Sequence, residues 1–224
     1  MFVGHYAPSF AIKAIQPAIP LWLLFIAAQL VDIAWAVLVL LGIEKVRIVP
    51  GITASNPLDL YYMPYTHSLV AAVLWAVAAI VLCKPLRGVR KWSVAAWIGV
   101  AVFSHWILDF LVHRPDLPVY DDALKVGLGI WDYPAIAFCL EALLLFGGML
   151  MYLRRTEAIN AVGRFGPPAF GIVLLAIHGY VFFGPPPTSP DAAAITALVF
   201  YVLFAIAAQW LDRQRREQAT LGSN

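Results

Sequence analysis

Hydrophobic residues along the chain form six long stretches, which are separated by short polar or proline-rich connections. The hydrocarbon core of a bilayer is about 30 Å thick, and roughly 20 apolar residues in an α-helix cross it. The pattern therefore predicts an all-α fold, a polytopic membrane helix bundle with six transmembrane helices. The predicted spans are Pro20–Leu41, Thr66–Cys83, Trp92–Val112, Trp131–Leu153, Pro168–Phe183 and Asp191–Leu211.

Proline and glycine mark the connections between these spans. We predict that the fifth span begins only after such a break, so it is the shortest of the six. The sequence shows no internal repeat and no linker, which indicates one integral membrane domain over residues 1–212 and a short polar tail over residues 213–224. The clearest breaks are Pro50-Gly51, Pro115 with Pro118, Gly166-Pro167-Pro168 and Gly184-Pro185-Pro186-Pro187.

Composition supports a membrane location and excludes several other classes of protein. Hydrophobic residues make up 62% of the chain and charged residues 12%, whereas soluble domains are about 45–50% apolar and about 25% charged. The net charge of +2 is too small to indicate a nucleic-acid partner. Cys83 and Cys139 lie in apolar stretches without a metal-type pairing, so a disulfide framework is not predicted.

Basic residues fall in alternate connections, and this asymmetry sets the predicted orientation. Cytoplasmic loops of membrane proteins are enriched in Lys and Arg. The second connection, the fourth connection and the tail are basic, and six alternating spans place all three on one side. We therefore predict a multi-pass protein with a cytoplasmic C-terminus. The basic residues are Lys84, Arg87, Arg90, Lys91, Arg154, Arg155, Arg164, Arg213, Arg215 and Arg216.

The segment before the first span, Ala7–Gln16, is fairly apolar but too short to cross a bilayer by itself. Two placements are open for it. It is either an interfacial helix on the cytoplasmic side or a re-entrant helix that dips inward from the outer face. In the second case Pro17 and Pro20 would turn the chain into the first span.

Ionisable side chains inside membrane spans are costly, and they usually have a function. His105, Asp109 and His113 are four residues apart, so they lie along one face of the third span. A His and an Asp one turn apart can bind the same metal ion. A lone histidine such as His178 is interpreted as an interhelical hydrogen-bonding residue. The other ionisable residues are Asp32, His67 and Glu141.

The deduced topology places these residues between the middle of the membrane and its outer surface. Asp32 and Asp109 therefore converge in depth with His67 and His105, although they are distant in sequence. Buried charges need a partner, and the predicted spans contain no Lys or Arg to provide one. We therefore predict a divalent cation that balances the two carboxylates.

Four short elements occur in order along the first half of the chain: Gly4-His5, Val31-Asp32-Ile33, Tyr65-Thr66-His67-Ser68, and Ser104-His105 with Asp109. Their order and approximate spacing resemble the YdjM-like family of bacterial inner-membrane proteins, which are regarded as metal-dependent hydrolases. That family shows G-H, D-I-D-H, F-T-H-S and S-H-x-x-x-D in the same order. The resemblance covers about residues 4–116.

The resemblance implies a location in the bacterial inner (plasma) membrane and a re-entrant N-terminal helix, because only that placement brings His5 to the outer level. The chain departs from the family pattern in two places. Ala34 and Trp35 replace the second Asp and the His of D-I-D-H, and Tyr62-Met63-Pro64 replaces H-R-G. These departures imply one metal rather than two, or a site without hydrolytic power. The implied metal ligands are His5, Asp32, His67, His105 and Asp109.

Together, the residues and the resemblance predict a membrane-embedded, metal-dependent hydrolase that acts near the outer leaflet on a lipid or a phosphoester. Zinc suits a ligand set of His and Asp, and a bound metal lowers the pKa of its water. Glu141 or His113 would take the proton of that water as the general base. Otherwise Glu141 would be a protonated acid bonded to a neighbouring helix, and His113 a solvated residue at the helix end.

Three alternatives stay open at this point. The same carboxylates and histidines could bind a transported cation or relay protons, although the sequence lacks the inverted repeat that is common in transporters. The chain could also be an accessory subunit of a larger complex, with another membrane protein as its partner in the lipid bilayer. A histidine-ligated haem is the third alternative, and its candidate ligands are His67, His105 and His178.

Overall fold

The computed structural model describes residues 1–218 and is mostly helical, with 64% of residues in helices. A 3₁₀ turn, Val3–His5, leads into the first helix. The helical part of the prediction is therefore confirmed. The α-helices of the described residues are α1 (Tyr6–Ile15), α2 (Leu21–Ala28), α3 (Leu30–Leu40), α4 (Leu69–Cys83), α5 (Trp92–Val112), α6 (Pro134–Arg155), α7 (Ala161–Phe183) and α8 (Pro190–Asp212).

Four helices, α5 to α8, are long and apolar enough to cross a bilayer. The pair α2 and α3 passes the same test when it is taken together, but it is bent by 54° at Gln29, so up to five helical units qualify. Helix α4 has only 15 residues, fewer than the roughly 20 that a full span needs. Six complete spans are therefore not confirmed. Many large apolar side chains are exposed on the bundle surface, including Leu82, Leu143, Ile172 and Ile206, which suits contact with lipid.

The prediction that Gly166-Pro167-Pro168 separates two spans is wrong, because all three residues lie inside helix α7. The helix passes through both prolines without interruption, from Ala161 to Phe183. Proline lacks the N–H that would bond the carbonyl four residues earlier, so Pro167 leaves the Gly163 carbonyl without its helical donor. The guanidinium of Arg215 donates a hydrogen bond to this carbonyl. A side chain from the end of the chain therefore replaces the missing donor.

Two small antiparallel sheets were not part of the all-α prediction. Strands β1 (Lys45–Ile48) and β2 (Leu58–Tyr62) pair in the connection between α3 and α4, with Lys45 opposite Tyr62. Strands β3 (Thr156–Ala158) and β4 (Arg215–Glu217) pair after α6 and α8. Strand β4 lies in the predicted polar tail, whose residues 219–224 lie outside the described part of the chain.

The two ends of the bundle differ in charge and in architecture. At one end, called the basic end, the Lys13 ammonium lies 2.9 Å from the Asp212 carboxylate, and the chain at Gly88 packs against the Ala18 carbonyl. All three predicted basic segments lie at this end. The other end, called the sheet end, carries two connections: the α3–α4 connection with β1 and β2, and the α5–α6 connection, residues 113–133. Ser55 Oγ in the first donates a hydrogen bond to the Trp131 carbonyl in the second (2.7 Å).

Helix α1 is enclosed by the bundle, which differs from both predicted placements. Tyr6 and Phe10 are fully buried, and Ser9 Oγ donates a 2.9 Å hydrogen bond to the Leu24 carbonyl of α2. Lys13 lies at the basic end, so the helix runs from the interior of the bundle towards that end, and it does not dip in from the opposite face. A helix that is apolar on most sides is stable only when other helices surround it.

Candidate metal centre

Helix α5 carries the first two residues of the site, as the four-residue spacing predicted. His105 and Asp109 are fully buried on the same face of the helix. The distance from His105 Nε2 to Asp109 Oδ2 is 3.1 Å. The two side chains therefore present one nitrogen and one oxygen to the same point beside the helix.

Asp32 and His67 reach that point from two other elements. Asp32 lies in the first turn of α3, and His67 lies just before α4, where Ser68 caps the helix through the Ala71 N–H. Asp32 Oδ1 is 3.3 Å from His67 Nε2 and 3.4 Å from His105 Nε2. The distance from His67 Nε2 to Asp109 Oδ2 is 3.7 Å. The four atoms therefore enclose a small common space.

These separations suit a tetrahedral cation. Zinc binds nitrogen and carboxylate oxygen at about 2.0–2.2 Å, and two tetrahedral ligands at that distance are separated by about 3.4 Å. Four of the six separations within this set, 3.1 to 3.7 Å, lie around this value. Two overlapping groups of three residues have ligand atoms within 4.8 Å of one another, and the structure therefore shows buried His and Asp clusters that could hold a metal ion. The groups are His5, His105 and Asp109, and Asp32, His67 and His105.

His5 reaches the site from the N-terminal 3₁₀ turn. Its ring stacks on the ring of His105 with a centroid distance of 3.8 Å and an interplanar angle of 7°. His5 Nε2 lies 3.1 Å from Asp109 Oδ1, and the main-chain nitrogen of Met1 donates to the same oxygen. All five predicted metal ligands therefore lie in one cluster.

The helix break at Gln29 fixes the orientation of His105. The last carbonyls of a helix have no helical donor, so the end of α2 leaves the Ala28 carbonyl free. His105 Nδ1 lies 2.8 Å from this oxygen, and a carbonyl accepts only, so Nδ1 carries the proton. Nε2 of His105 faces the carboxylates of Asp32 and Asp109, and it has no hydrogen-bond partner among the described residues.

His67 is oriented in a similar way, through Thr66 and Glu44. The Thr66 hydroxyl donates to Glu44 Oε2 (2.6 Å) and lies 2.8 Å from His67 Nδ1. Since its one proton goes to Glu44, the hydroxyl accepts from Nδ1, and His67 Nε2 faces the site. Glu44 lies in the connection after α3, and burial raises the pKa of its carboxyl group.

His113 is the third histidine with a fixed ring. Its Nδ1 donates to Asp116 Oδ1 (2.8 Å), while its Nε2 lies 3.7 Å from Asp109 Oδ1. Asp116 in turn accepts from the Arg114 guanidinium (3.2 Å), which also binds Asp59. His113 is fully buried and packs against Trp131 with a ring distance of 4.2 Å. The structure therefore does not support a solvated position for His113.

The orientation of these rings is the strongest evidence for a cation. Carboxylate oxygens and unprotonated imidazole nitrogens are all acceptors, so their approach within 3.1 to 3.7 Å needs a proton or a metal cation between them. Metal-bound histidines commonly donate their other N–H to a carbonyl, a carboxylate or a hydroxyl group. His67, His105 and His113 each show that arrangement. The donor set and its supports therefore fit a divalent cation.

Tyr201 is a site residue that the sequence analysis missed. Its hydroxyl donates a 2.8 Å hydrogen bond to Asp32 Oδ2, which leaves Oδ1 of the same carboxylate directed at His67 and His105. The residue lies in α8, far in sequence from every motif. Glu44, Asp116 and Ala28 were missed for the same reason, since nothing local marks a residue that supports a ligand from a distance.

Glu141 and His178 lie beside this cluster and are not members of either three-residue group. Both are fully buried, and His178 Nε2 is 3.9 Å from Glu141 Oε2, which is beyond hydrogen-bond distance. Glu141 Oε2 instead accepts from main-chain N–H groups of the N-terminal turn. The structure therefore brings His113 to the carboxylate of Asp109, and it places Glu141 next to the turn that carries His5.

Comparisons with protein-family models, curated proteins and solved structures found no match for this chain. The candidate centre is therefore argued from its own residues.

The hydrogen bond between the Thr66 hydroxyl and His67 Nδ1 can be tested by mutation. Thr66→Val keeps the size of the side chain but removes the hydroxyl between His67 and Glu44. We expect metal affinity to fall about 10- to 100-fold, as is usual when such a support is lost. Equilibrium titration with Zn²⁺ against a competing chelator measures it. Thr196→Val, on an exposed part of α8, is the matched control, and an equal effect in both variants would contradict the role of Thr66.

Proposed function

We propose that this protein is a membrane-embedded, metal-dependent hydrolase. The observation that carries the proposal is the convergence of histidine ring nitrogens on two carboxylates, the buried Asp109 and the partly exposed Asp32. The order of motifs that resembles the YdjM-like family agrees with it. Zinc is the proposed metal, because the set contains imidazole and carboxylate donors without thiolates.

The chemistry follows from the position of each side chain. A divalent cation in this site would polarise the scissile bond and lower the pKa of a water molecule. Asp32, His67, His105 and Asp109 would hold it. His5, whose Nε2 lies next to the other Asp109 oxygen, Oδ1, would be a further ligand. His113 lies beside these residues with its Nε2 at 3.7 Å from Asp109 Oδ1, and Asp116 holds its ring in place. We therefore propose His113 as the general base that accepts the proton of the attacking water.

Exposure of the ligands indicates how a substrate would reach the site. The Asp32 side chain is 16% exposed, whereas those of His5, His67, His105 and Asp109 are 4% exposed or less. Asp32 lies in α3 and accepts a hydrogen bond from Tyr201 of α8, and Val37 and Leu40, later in α3, are exposed and apolar. The partial exposure of Asp32 and these apolar neighbours support a substrate that arrives from the lipid phase, such as a lipid ester or phosphoester.

Activity can be tested with purified protein loaded with Zn²⁺ in mixed micelles. The assay would use p-nitrophenyl phosphate, bis-p-nitrophenyl phosphate, p-nitrophenyl butyrate and a fluorescent phosphatidic acid. We expect chelator-sensitive hydrolysis of at least one ester class by the wild type and none by His105→Ala. Hydrolysis that persists in His105→Ala would contradict the proposed site.

His113→Gln separates proton transfer from metal binding. We expect the variant to keep its metal and to lose hydrolysis by about 10²- to 10⁴-fold in kcat, the usual contribution of a general base. Metal analysis and the ester assay on the same sample measure both quantities. Loss of the metal together with the activity would show that His113 is a ligand and would contradict its assignment as the base.

Cation transport is the second candidate function, and one observation favours it. The bent pair of helices at Gln29 places a broken span beside Asp32, and discontinuous helices with buried carboxylates are common at ion sites of transporters. Reconstitution in liposomes with a pH-sensitive dye tests this function. Proton or Zn²⁺ flux that is lost in Asp32→Asn, without ester hydrolysis by the wild type, would support transport over hydrolysis.

A further inference from the structure

Glu141 makes an unusual contact for a carboxylate in the middle of a membrane-length helix. It is fully buried on α6, and its Oε2 accepts hydrogen bonds from the main-chain N–H groups of Phe2 (2.7 Å) and Gly4 (3.2 Å). These are the hydrogen bonds of Glu141 within the described residues, and its Oε1 has no partner there. The carboxylate is therefore bonded to the N-terminal turn and not to a metal-site side chain.

Two hydrogen bonds to one oxygen fix the shape of that turn. Phe2 and Gly4 flank Val3, and His5 follows Gly4 directly at the end of the 3₁₀ turn. The turn is also tightly packed, because a Cβ on Gly4 would lie 2.2 Å from Met1 Sδ and 3.5 Å from Glu141 Cγ. The main chain that precedes His5 is thus held by Glu141 from one side and by close packing from the other.

The position of His5 depends on this turn. Its ring lies flat against His105 at 3.8 Å, and its Nε2 approaches Asp109 Oδ1 at 3.1 Å. His5 Nδ1 has no hydrogen-bond partner among the described residues, so no side-chain support fixes the ring as Asp116 fixes His113. Its orientation is therefore set by the ring stack and by the main chain that Glu141 holds.

We propose that Glu141 is a positioning residue that sets His5 against Asp109 and the metal, in place of the general-base role predicted from sequence. The proposal rests on the proposed metal site, and it concerns the geometry of one ligand rather than the chemistry of the reaction. His178 on α7 is too distant at 3.9 Å to hold the carboxylate in its place.

The test uses Co²⁺, which takes the place of zinc and reports its ligands through visible absorption. Four variants are compared with the wild type: Glu141→Gln, Glu141→Asp, Glu141→Leu and His5→Ala. Gln keeps an oxygen acceptor at the same place without the charge, whereas Asp keeps the charge but withdraws the acceptor by one methylene group. Leu removes the acceptor altogether and serves as the extreme case.

We expect Glu141→Gln to bind Co²⁺ within about threefold of the wild type, and Glu141→Asp and Glu141→Leu to bind about 10- to 100-fold more weakly. His5→Ala should show the same loss and the same change in the visible spectrum. In the double variant of His5→Ala with Glu141→Asp, the losses should not add, because both act through one ligand. Glu141→Asp also provides the test if Glu141→Leu does not fold.

Two results would overturn the proposal. One is additive loss in the double variant, which would show that Glu141 acts independently of His5. The other is a normal affinity for Glu141→Asp with a large loss for Glu141→Gln, which would show that the charge matters and not the position of the acceptor. Failure of the metal site itself would be seen separately, as Co²⁺ binding to His105→Ala that equals the wild type.

Discussion

Replacing His105 with alanine is expected to abolish metal binding. His105 belongs to both groups of candidate ligands, and its Nε2 lies 3.1 Å from Asp109 and 3.4 Å from Asp32. Without it, neither group of three ligand atoms is complete. We expect the metal content to fall from about one ion per chain to less than about a tenth of that. Elemental analysis after gel filtration in detergent measures this ratio.

His178→Ala is the matched control for this prediction. His178 is also a buried histidine on a membrane-length helix, but its ring nitrogens have no hydrogen-bond partners among the described residues, and it is outside both ligand groups. We expect this variant to keep the wild-type metal content. Equal metal content in His105→Ala and the wild type would refute the site, and equal loss in both variants would show an effect on folding alone.

Removal of the metal is expected to lower the stability of the whole bundle. The charges of Asp32 and Asp109 would then lose the metal cation that offsets them, and poorly compensated buried charge is strongly destabilising. A ligand present at about 100 to 1,000 times its Kd stabilises the folded state by about 3–4 kcal/mol. For a chain of this size, that corresponds to a fall in Tm of about 5–15 °C on chelation.

Thermal unfolding at a fixed scan rate, with and without a chelator, measures this shift. Addition of excess Zn²⁺ should restore the original Tm. The control is Asp109→Asn with His105→Ala, which lacks the site, so its Tm should not respond to the chelator. A wild-type Tm that is unchanged by chelation would contradict the account, because the buried carboxylates would then be stable without a cation.

The sequence was sufficient for the elements whose signal is local. Helix α5 has the predicted bounds, Trp92–Val112, because its apolar residues continue without a break. The i, i+4 spacing of His105 and Asp109 placed them on one face, and the depth argument brought them together with Asp32 and His67. The shortage of basic residues inside the predicted spans is what drew attention to the acidic ones.

The elements that depend on distant partners could not be predicted. Helix α7 passes through Pro167 because Arg215, some 50 residues later, donates to the freed Gly163 carbonyl. The helix pair α2 and α3 is bent at Gln29, and there the Ala28 carbonyl accepts a hydrogen bond from His105 Nδ1. In both cases a main-chain group is satisfied by a side chain from another part of the fold, and no local pattern records that partner.

The candidate site shows the same division between local and distant information. The motifs contain the five predicted ligands, but two of the groups that orient them, the Ala28 carbonyl and the Tyr201 hydroxyl, lie outside those motifs. Glu141 was recognised as unusual because it is an acid in an apolar helix. Only the structure shows that its partners are main-chain N–H groups beside His5, and this changes the role that we assign to it.

X-ray absorption at the metal K edge of the purified wild-type protein, together with its metal content, tests the central claim most directly. The account predicts about one zinc ion per chain, with a shell of nitrogen and oxygen at about 2.0–2.1 Å, outer-shell scattering from at least two imidazoles and no sulfur. A protein that folds and stays stable without stoichiometric metal, or a metal shell that contains sulfur, would contradict it.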